Sequence, residues 1–147
     1  VRIPEPVRAD LSLNELVRSV DALTRIECRK RNISLSLSLA DPDTIIRADG
    51  IQLEQVLVNI VKNAYEAIGH DGRIRIVTTA DPPSVTVEDN GPGIPEEIRK
   101  QLFTPFFTTK PSGQGIGLMF VREVLNNHRM AFSLTSQNGC TRFEISV

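Results

Sequence analysis

Glu88-Asp89-Asn90-Gly91-Pro92-Gly93-Ile94-Pro95 is where a strand gives out and the chain breaks into a glycine-proline-glycine turn. The run before it, 85–88, reads as a strand, so the Asp89 carboxylate stands at a strand end. The glycines beyond it let the backbone come close to a ligand. Alone, the segment is equally an ordinary β-to-α connection with Asp at a turn position. Upstream, residues 73–79 read as a partner strand, joined through Ala80-Asp81-Pro82-Pro83 as a hairpin. Downstream, Pro95 at a first helical position with Glu96 and Glu97 in the first turn starts a short helix.

Two further segments matter beside it. A helix capped by Asp49, with Gln52 three residues on, buries Leu53, Val56, Leu57, Ile60, Val61, Ala64 and Ile68 on one stripe, and His70-Asp71-Gly72 stops it. Gln52, Gln55, Asn59, Asn63 and Glu66 form a polar stripe on the same helix. Such a stripe suits a solvated face or a ligand-facing one. Asparagine is a mediocre helix former, and its amide oxygen is a hard, neutral ligand suited to Mg²⁺. Gly113-Gln114-Gly115-Ile116-Gly117-Leu118 then leads into a helix over 118–127. Amides of a glycine loop and a helix N-terminus make an anion site without basic side chains. The spacing is neither G-x-x-x-x-G-K-[ST] nor G-x-G-x-x-G.

Around these segments the pattern is that of one domain. Residues 1–10 read as a linker remnant, and 11–147 as the domain. Ser12 and Glu15 form a capping box ahead of Leu13, Leu16, Val17, Val20 and Leu23, a helix reaching about Arg31. Residues 33–39 alternate as a half-buried strand, Asp41-Pro42-Asp43 turns the chain, and 44–47 add a short strand. Asn138-Gly139 joins two last strands. The order predicts an α/β fold: a two-layer α/β sandwich, a mixed sheet with helices on one face. The 147 residues, 40% hydrophobic and 24% charged, exclude a disordered or fibrous chain. A net charge of −1 gives no pull toward nucleic acid or anionic membrane. Cys28 and Cys140 read as reduced thiols. Without an apolar run long enough to span a bilayer, the segment is expected to be cytoplasmic, and a membrane-anchored parent is left open.

In this order the motifs strongly resemble the Bergerat ATP-binding fold of the GHKL superfamily, which covers gyrase, heat-shock chaperone ATPases, histidine kinases and mismatch-repair ATPases. Asn59-Ile-Val-Lys-Asn63-Ala-Tyr-Glu-Ala67 resembles the histidine-kinase N box, and Asp89-Asn90-Gly91-Pro92-Gly93-Ile94 the first glycine box. Phe103-Thr-Pro-Phe106-Phe107-Thr-Thr-Lys110 resembles the F box, 113–118 the second glycine box, and Gly139-Cys140-Thr141-Arg142-Phe143 the closing G-x-T-x-F strand. The resemblance spans essentially the whole chain. The F-T-T-K lid and the N-A-x-E-A form are similar to the nitrogen-regulation and oxygen-sensing kinases.

The resemblance implies a site for ATP and Mg²⁺. Asn63 is the implied metal ligand, and Asn59 lies beside it as the second catalytic asparagine. Asp89 accepts a hydrogen bond from the adenine amino group, with Gly91, Gly93 and Ile94 around the base and Thr141 supporting it from the sheet. Gly113, Gly115, Ile116, Gly117 and Leu118 lie toward the phosphates, with Thr109 and Lys110 in the lid. Lys62 either reaches a phosphate or is a solvated surface lysine. Gyrase-like and chaperone relatives carry glutamate where this chain has Asn59, and an amide cannot accept a proton from water. Hydrolysis is therefore expected to be slow and the γ-phosphoryl to pass to a histidine.

That histidine is not in the chain. His70 and His128 lack the H-[DE]-x-x-x-P context and read as ordinary turn or surface residues. The implied partners are the dimerisation helices that carry the acceptor and, indirectly, a response regulator; no nucleic acid or direct membrane contact is implied. Phe103, Phe106 and Phe107 are core residues or lid residues touching those helices. Two departures stand out: His128-Arg129-Met130-Ala131 replaces a His-Gly-Gly turn, and Glu66 stands where many relatives carry Lys. Two other readings fit the motifs, an anti-sigma-type serine kinase and a regulatory nucleotide-binding domain without transfer.

Overall fold

The computed structural model describes residues 3–93 and 115–147. Strand β1 (Ala9–Ser12) runs into helix α1 (Leu13–Lys30) at Ser12, whose Oγ accepts the Glu15 N–H at 3.0 Å. Only half of the expected capping box forms. Glu15 pairs with Arg18, and the Asp43 carboxylate instead accepts from the Ser12 hydroxyl and the Asn14 N–H. Residues 3–8, expected as linker, are fastened to the body: Gln52 Nε2 donates to Pro4 O at 2.9 Å and Val7 N to Asp49 Oδ2 at 2.9 Å. Gln52 is thereby buried and is no part of a ligand-facing stripe.

β2 (Ile33–Ser38) points Ile33 and Leu35 inward and Ser34, Ser36 and Ser38 outward, as its alternation requires. β3 (Ile45–Ala48) forms where a short strand is expected, but it joins β1 in a separate antiparallel ribbon. Helix α2 (Gly50–Ile68) starts at Asp49, whose Oδ1 accepts the Gln52 N–H at 3.1 Å. It stops one step before the expected turn, at Gly69 with φ +82°.

The remaining elements are β4 (Gly72–Ala80), β5 (Pro83–Asp89), α3 (Gly115–Asn127), β6 (Ala131–Gln137) and β7 (Cys140–Ser146). The main sheet runs β2-β4-β5-β7-β6. β2 and β4 are parallel, as a helical crossover through α2 demands, and the other pairs are antiparallel. Asn138 and Gly139, at φ +53° and +72°, make the β6–β7 turn.

The three described helices pack on one face. Val17 and Val20 of α1, Val56 and Val61 of α2, and Val121 and Val124 of α3 are sealed against Ile74, Ile76, Val87, Phe143 and Ile145. The other face bears hydroxyls and an ion triad, Arg75 and Arg142 each 3.1 Å from Glu88. The mixed two-layer sandwich is the expected fold.

Candidate nucleotide site

β5 is the middle strand of the sheet, and Asp89 ends it on the helix-covered side, in line with Val85 and Val87. Its neighbours are Ile74 on β4 and Thr141 on β7. The chain then turns sharply because Asp89 Oδ1 accepts the Gly91 N–H at 2.8 Å. A Cβ on Gly91 would lie 2.9 Å from that same oxygen, so a larger residue there would push the carboxylate aside. Asn90 closes the ladder from its side chain: Arg73 N donates to Asn90 Oδ1 at 2.6 Å, and Asn90 N donates to Arg73 O at 3.2 Å. Gly93, at φ +83°, leaves the turn in a conformation L side chains avoid.

Burial pushes the Asp89 carboxyl above its ordinary pKa, and the Gly91 N–H only partly offsets it. Among the described residues no cation faces it and its Oδ2 accepts no hydrogen bond. A half-buried acid with one oxygen fixed and the other open is suited to receive a donor.

α2 brings the amides to the site. Asn59 Nδ2 donates back to Gln55 O at 3.0 Å, which leaves its amide oxygen as the outward end. Asn63 and Glu66 follow along the same face, each half-buried and each with a partner. Lys62 is half-buried beside them, and Gln55 is exposed. Gly115, Ile116, Gly117 and Leu118 form the first turn of α3, so the helix begins three residues earlier than its apolar pattern suggests. Backbone N–H groups of a first turn lack intrahelical acceptors, the property expected of this segment as an anion cradle. Ile94, Thr109, Lys110 and Gly113, with the F-box phenylalanines and the helix expected after Pro95, lie outside the described residues.

Thr141, only 9% exposed, pairs with Asp89 from β7. Its other neighbour, Ser136 on β6, belongs to no recognised motif. The arrangement is an acid at a strand end, neutral amides on the helix above it and backbone N–H groups at a second helix start. It offers a planar donor, a hydrated cation and an anion one partner each.

Residues 48–147 match the family described as histidine kinase-, DNA gyrase B-, and HSP90-like ATPase. This chain belongs to that family. Within it the chain is similar to sensor kinases: Sporulation kinase A of Bacillus subtilis is 36% identical over 95% of this chain and 24% of that protein. Sensor protein FixL of Bradyrhizobium diazoefficiens is 35% identical over 88% of this chain and 27% of its own length. The chain thus spans about a quarter of the curated relatives it matches. The catalytic domain of the histidine kinase ThkA superposes with a TM-score of 0.86 and 35% identity, covering 95% of this chain and 93% of that one. ThkA has also been solved in complex with the response regulator protein TrrA (TM-score 0.77, 31% identity, 94% of this chain and 40% of that one). The domain is the catalytic ATPase part of a histidine kinase.

One expectation for the histidine-kinase residues is corrected. His128 lies in the turn after α3, as expected, but it is not a surface residue: it is 7% exposed, with Nδ1 2.8 Å from Val124 O and Nε2 accepting the Asp49 N–H at 3.0 Å. It ties the end of α3 to the start of α2, the two helices that carry the second glycine-box and N-box patterns. Arg129 resolves the missing glycines by taking φ +59° itself.

Proposed function

We propose that this domain binds Mg²⁺-ATP and delivers the γ-phosphoryl group to a histidine on dimerisation helices of its parent sensor kinase. The observation that carries the reading is the Asp89 carboxylate, one oxygen held by the Gly91 N–H and the other without a partner among the described residues. Adenine presents an amino donor to such an acceptor. Guanine presents a carbonyl there, an acceptor facing a buried acceptor, at a cost of roughly 1–3 kcal/mol.

Asn63 and Asn59 fit Mg²⁺ in the same sense: amide oxygens are hard and neutral, and Mg²⁺ keeps waters and phosphate oxygens as its other ligands. The bound cation would supply charge neutralisation at the phosphates. Gly115 and Gly117 contribute first-turn amides for phosphate oxygens, while Lys62, Thr109 and Lys110 are the proposed additional contacts, with Ile94, Ile116 and Leu118 lining the nucleotide. Asn59 has no proton-accepting group in either orientation, so it holds water without activating it, and slow hydrolysis preserves the phosphoryl for a better nucleophile. The domain acts in the cytoplasm; among the described residues no helix is long and apolar enough to cross a membrane.

Labelled ATP, this domain and separately supplied dimerisation helices test the proposal. Label appearing on the helices as acid-labile, base-stable phosphate supports it. Stable label on serine would favour an anti-sigma-type kinase, and bound ATP without any transfer would favour a regulatory module.

A further inference from the structure

Ser136 lies between two of the recognised motifs, and the contacts around it form a closed circuit. Asp89 Oδ1 accepts the Gly91 N–H at 2.8 Å, and two residues later Gly93 passes over β6. There a Cβ on Gly93 would lie 2.8 Å from Ser136 Oγ, closer than real Cβ atoms approach, so the turn rests directly on this hydroxyl. Ser136 pairs across the strands with Thr141, their hydroxyl oxygens 3.4 Å apart, and Thr141 pairs in turn with Asp89. Asp89, Thr141 and Ser136 therefore form one polar row on a sheet face that is otherwise apolar along the same strands: Val87, Phe143 and Leu134 make the row beneath.

Serine is a poor choice for packing alone at such a position, because a hydroxyl against an apolar layer needs a partner. Here one partner is Thr141, the residue expected to support the base. We propose that Ser136 is a positioning residue for adenine recognition: it orients the Thr141 hydroxyl and seats the Gly93 turn, so that Asp89 and Thr141 meet the base edge together. Ser136 touches the nucleotide site through Thr141 and Gly93 and not through the phosphates. This inference rests on the nucleotide reading above.

The test is a calorimetric cycle on this chain with ATP and Mg²⁺, using wild type, Ser136→Ala, Thr141→Val and the double variant, with thermal unfolding without nucleotide as the folding control. Ser136→Ala is expected to weaken ATP binding about 3–10-fold and to narrow the ATP-over-GTP preference, the loss expected from about one disturbed hydrogen bond. The double variant is expected to lose less than the product of the two single losses, since both substitutions disturb the Ser136–Thr141 contact while the Gly93 seat is lost only with Ser136. A purely structural serine would lower the melting temperature and leave the ATP-to-GTP ratio unchanged. Wild-type affinity in Ser136→Ala, or losses that simply multiply in the double variant, would overturn the role of Ser136. No ATP binding by the wild type would instead sink the nucleotide reading itself.

Discussion

If Asp89 reads the base as proposed, it carries opposite demands on stability and function. Burial raises its pKa in the folded chain, so folding binds protons there and stability falls as pH climbs from the ordinary value of 3.8 through the folded one. At neutral pH the ionised group is a cost. Asp89→Asn is therefore expected to raise the melting temperature of the nucleotide-free domain while weakening ATP at least tenfold. The single amide oxygen must choose between the Gly91 N–H and adenine, and the amide nitrogen opposes the donor that remains. Scanning calorimetry with a nucleotide titration reads both effects. Arg129 carries a cost of another kind. A non-glycine residue at φ +59° costs roughly 1–2 kcal/mol, and glycine would remove it while adding about 0.4–1 kcal/mol of unfolded-chain freedom. Arg129→Gly is expected to stabilise by about 0.5–1 kcal/mol in urea unfolding.

At the scale of elements, buried polar residues fix how the pieces meet. Asn14 is 4% exposed; its Nδ2 donates to Ala40 O at 2.8 Å and its Oδ1 accepts the Thr78 hydroxyl at 2.7 Å, joining α1 to the far end of β4. Asn14→Ala strands both partners and is expected to cost about 2–3 kcal/mol. Asn59→Ala is the contrast. Its amide bonds only its own helix at an exposed edge, so stability is expected to hold or rise by a few tenths of a kcal/mol, and Mg²⁺-dependent ATP binding to fall. The difference explains what was legible in the sequence. Helices and strands were, because apolar spacing and caps at Ser12 and Asp49 are local signals. Asn14, Gln52 and His128 were not. Each looks like a surface residue in its own window, and its partner lies 64, 48 or 79 residues away. The ribbon of β1 with β3 was hidden for the same reason: pairing is non-local, and a four-residue strand gives little pattern to read.

Across the whole molecule, acid acts on the same long-range joints. For Asp43, burial pushes the pKa up, but hydrogen bonds from Ser12, Asn14 and Thr44 outweigh it and hold the group below 3.8. Asp49 is likewise held low, burial being overcome by the N–H groups of Val7, Gln52 and Ile51. A depressed folded pKa means stability that is full above the unfolded value and is lost as pH falls through the folded one. Denaturation midpoints followed below about pH 4 are expected to drop, and Asp43→Asn with Asp49→Asn to flatten that drop. Both groups anchor the start of a helix, so acid loosens α1 and α2, and with α2 the amides of the site. The order of the motifs along the chain made the candidate site legible in the sequence, since the patterns around Asn59, Asn63, Asp89, the glycines and Thr141 are each local signatures. Ser136 was missed because it gains meaning only through the register of β6 on β7 and the approach of Gly93. The most direct measurement is a calorimetric titration of the domain with ATP and with GTP, Mg²⁺ present, for wild type and Asp89→Asn. A preference for ATP of tenfold or more that Asp89→Asn abolishes is expected; equal affinities in the wild type, or a preference that survives the substitution, would contradict a nucleotide read by Asp89.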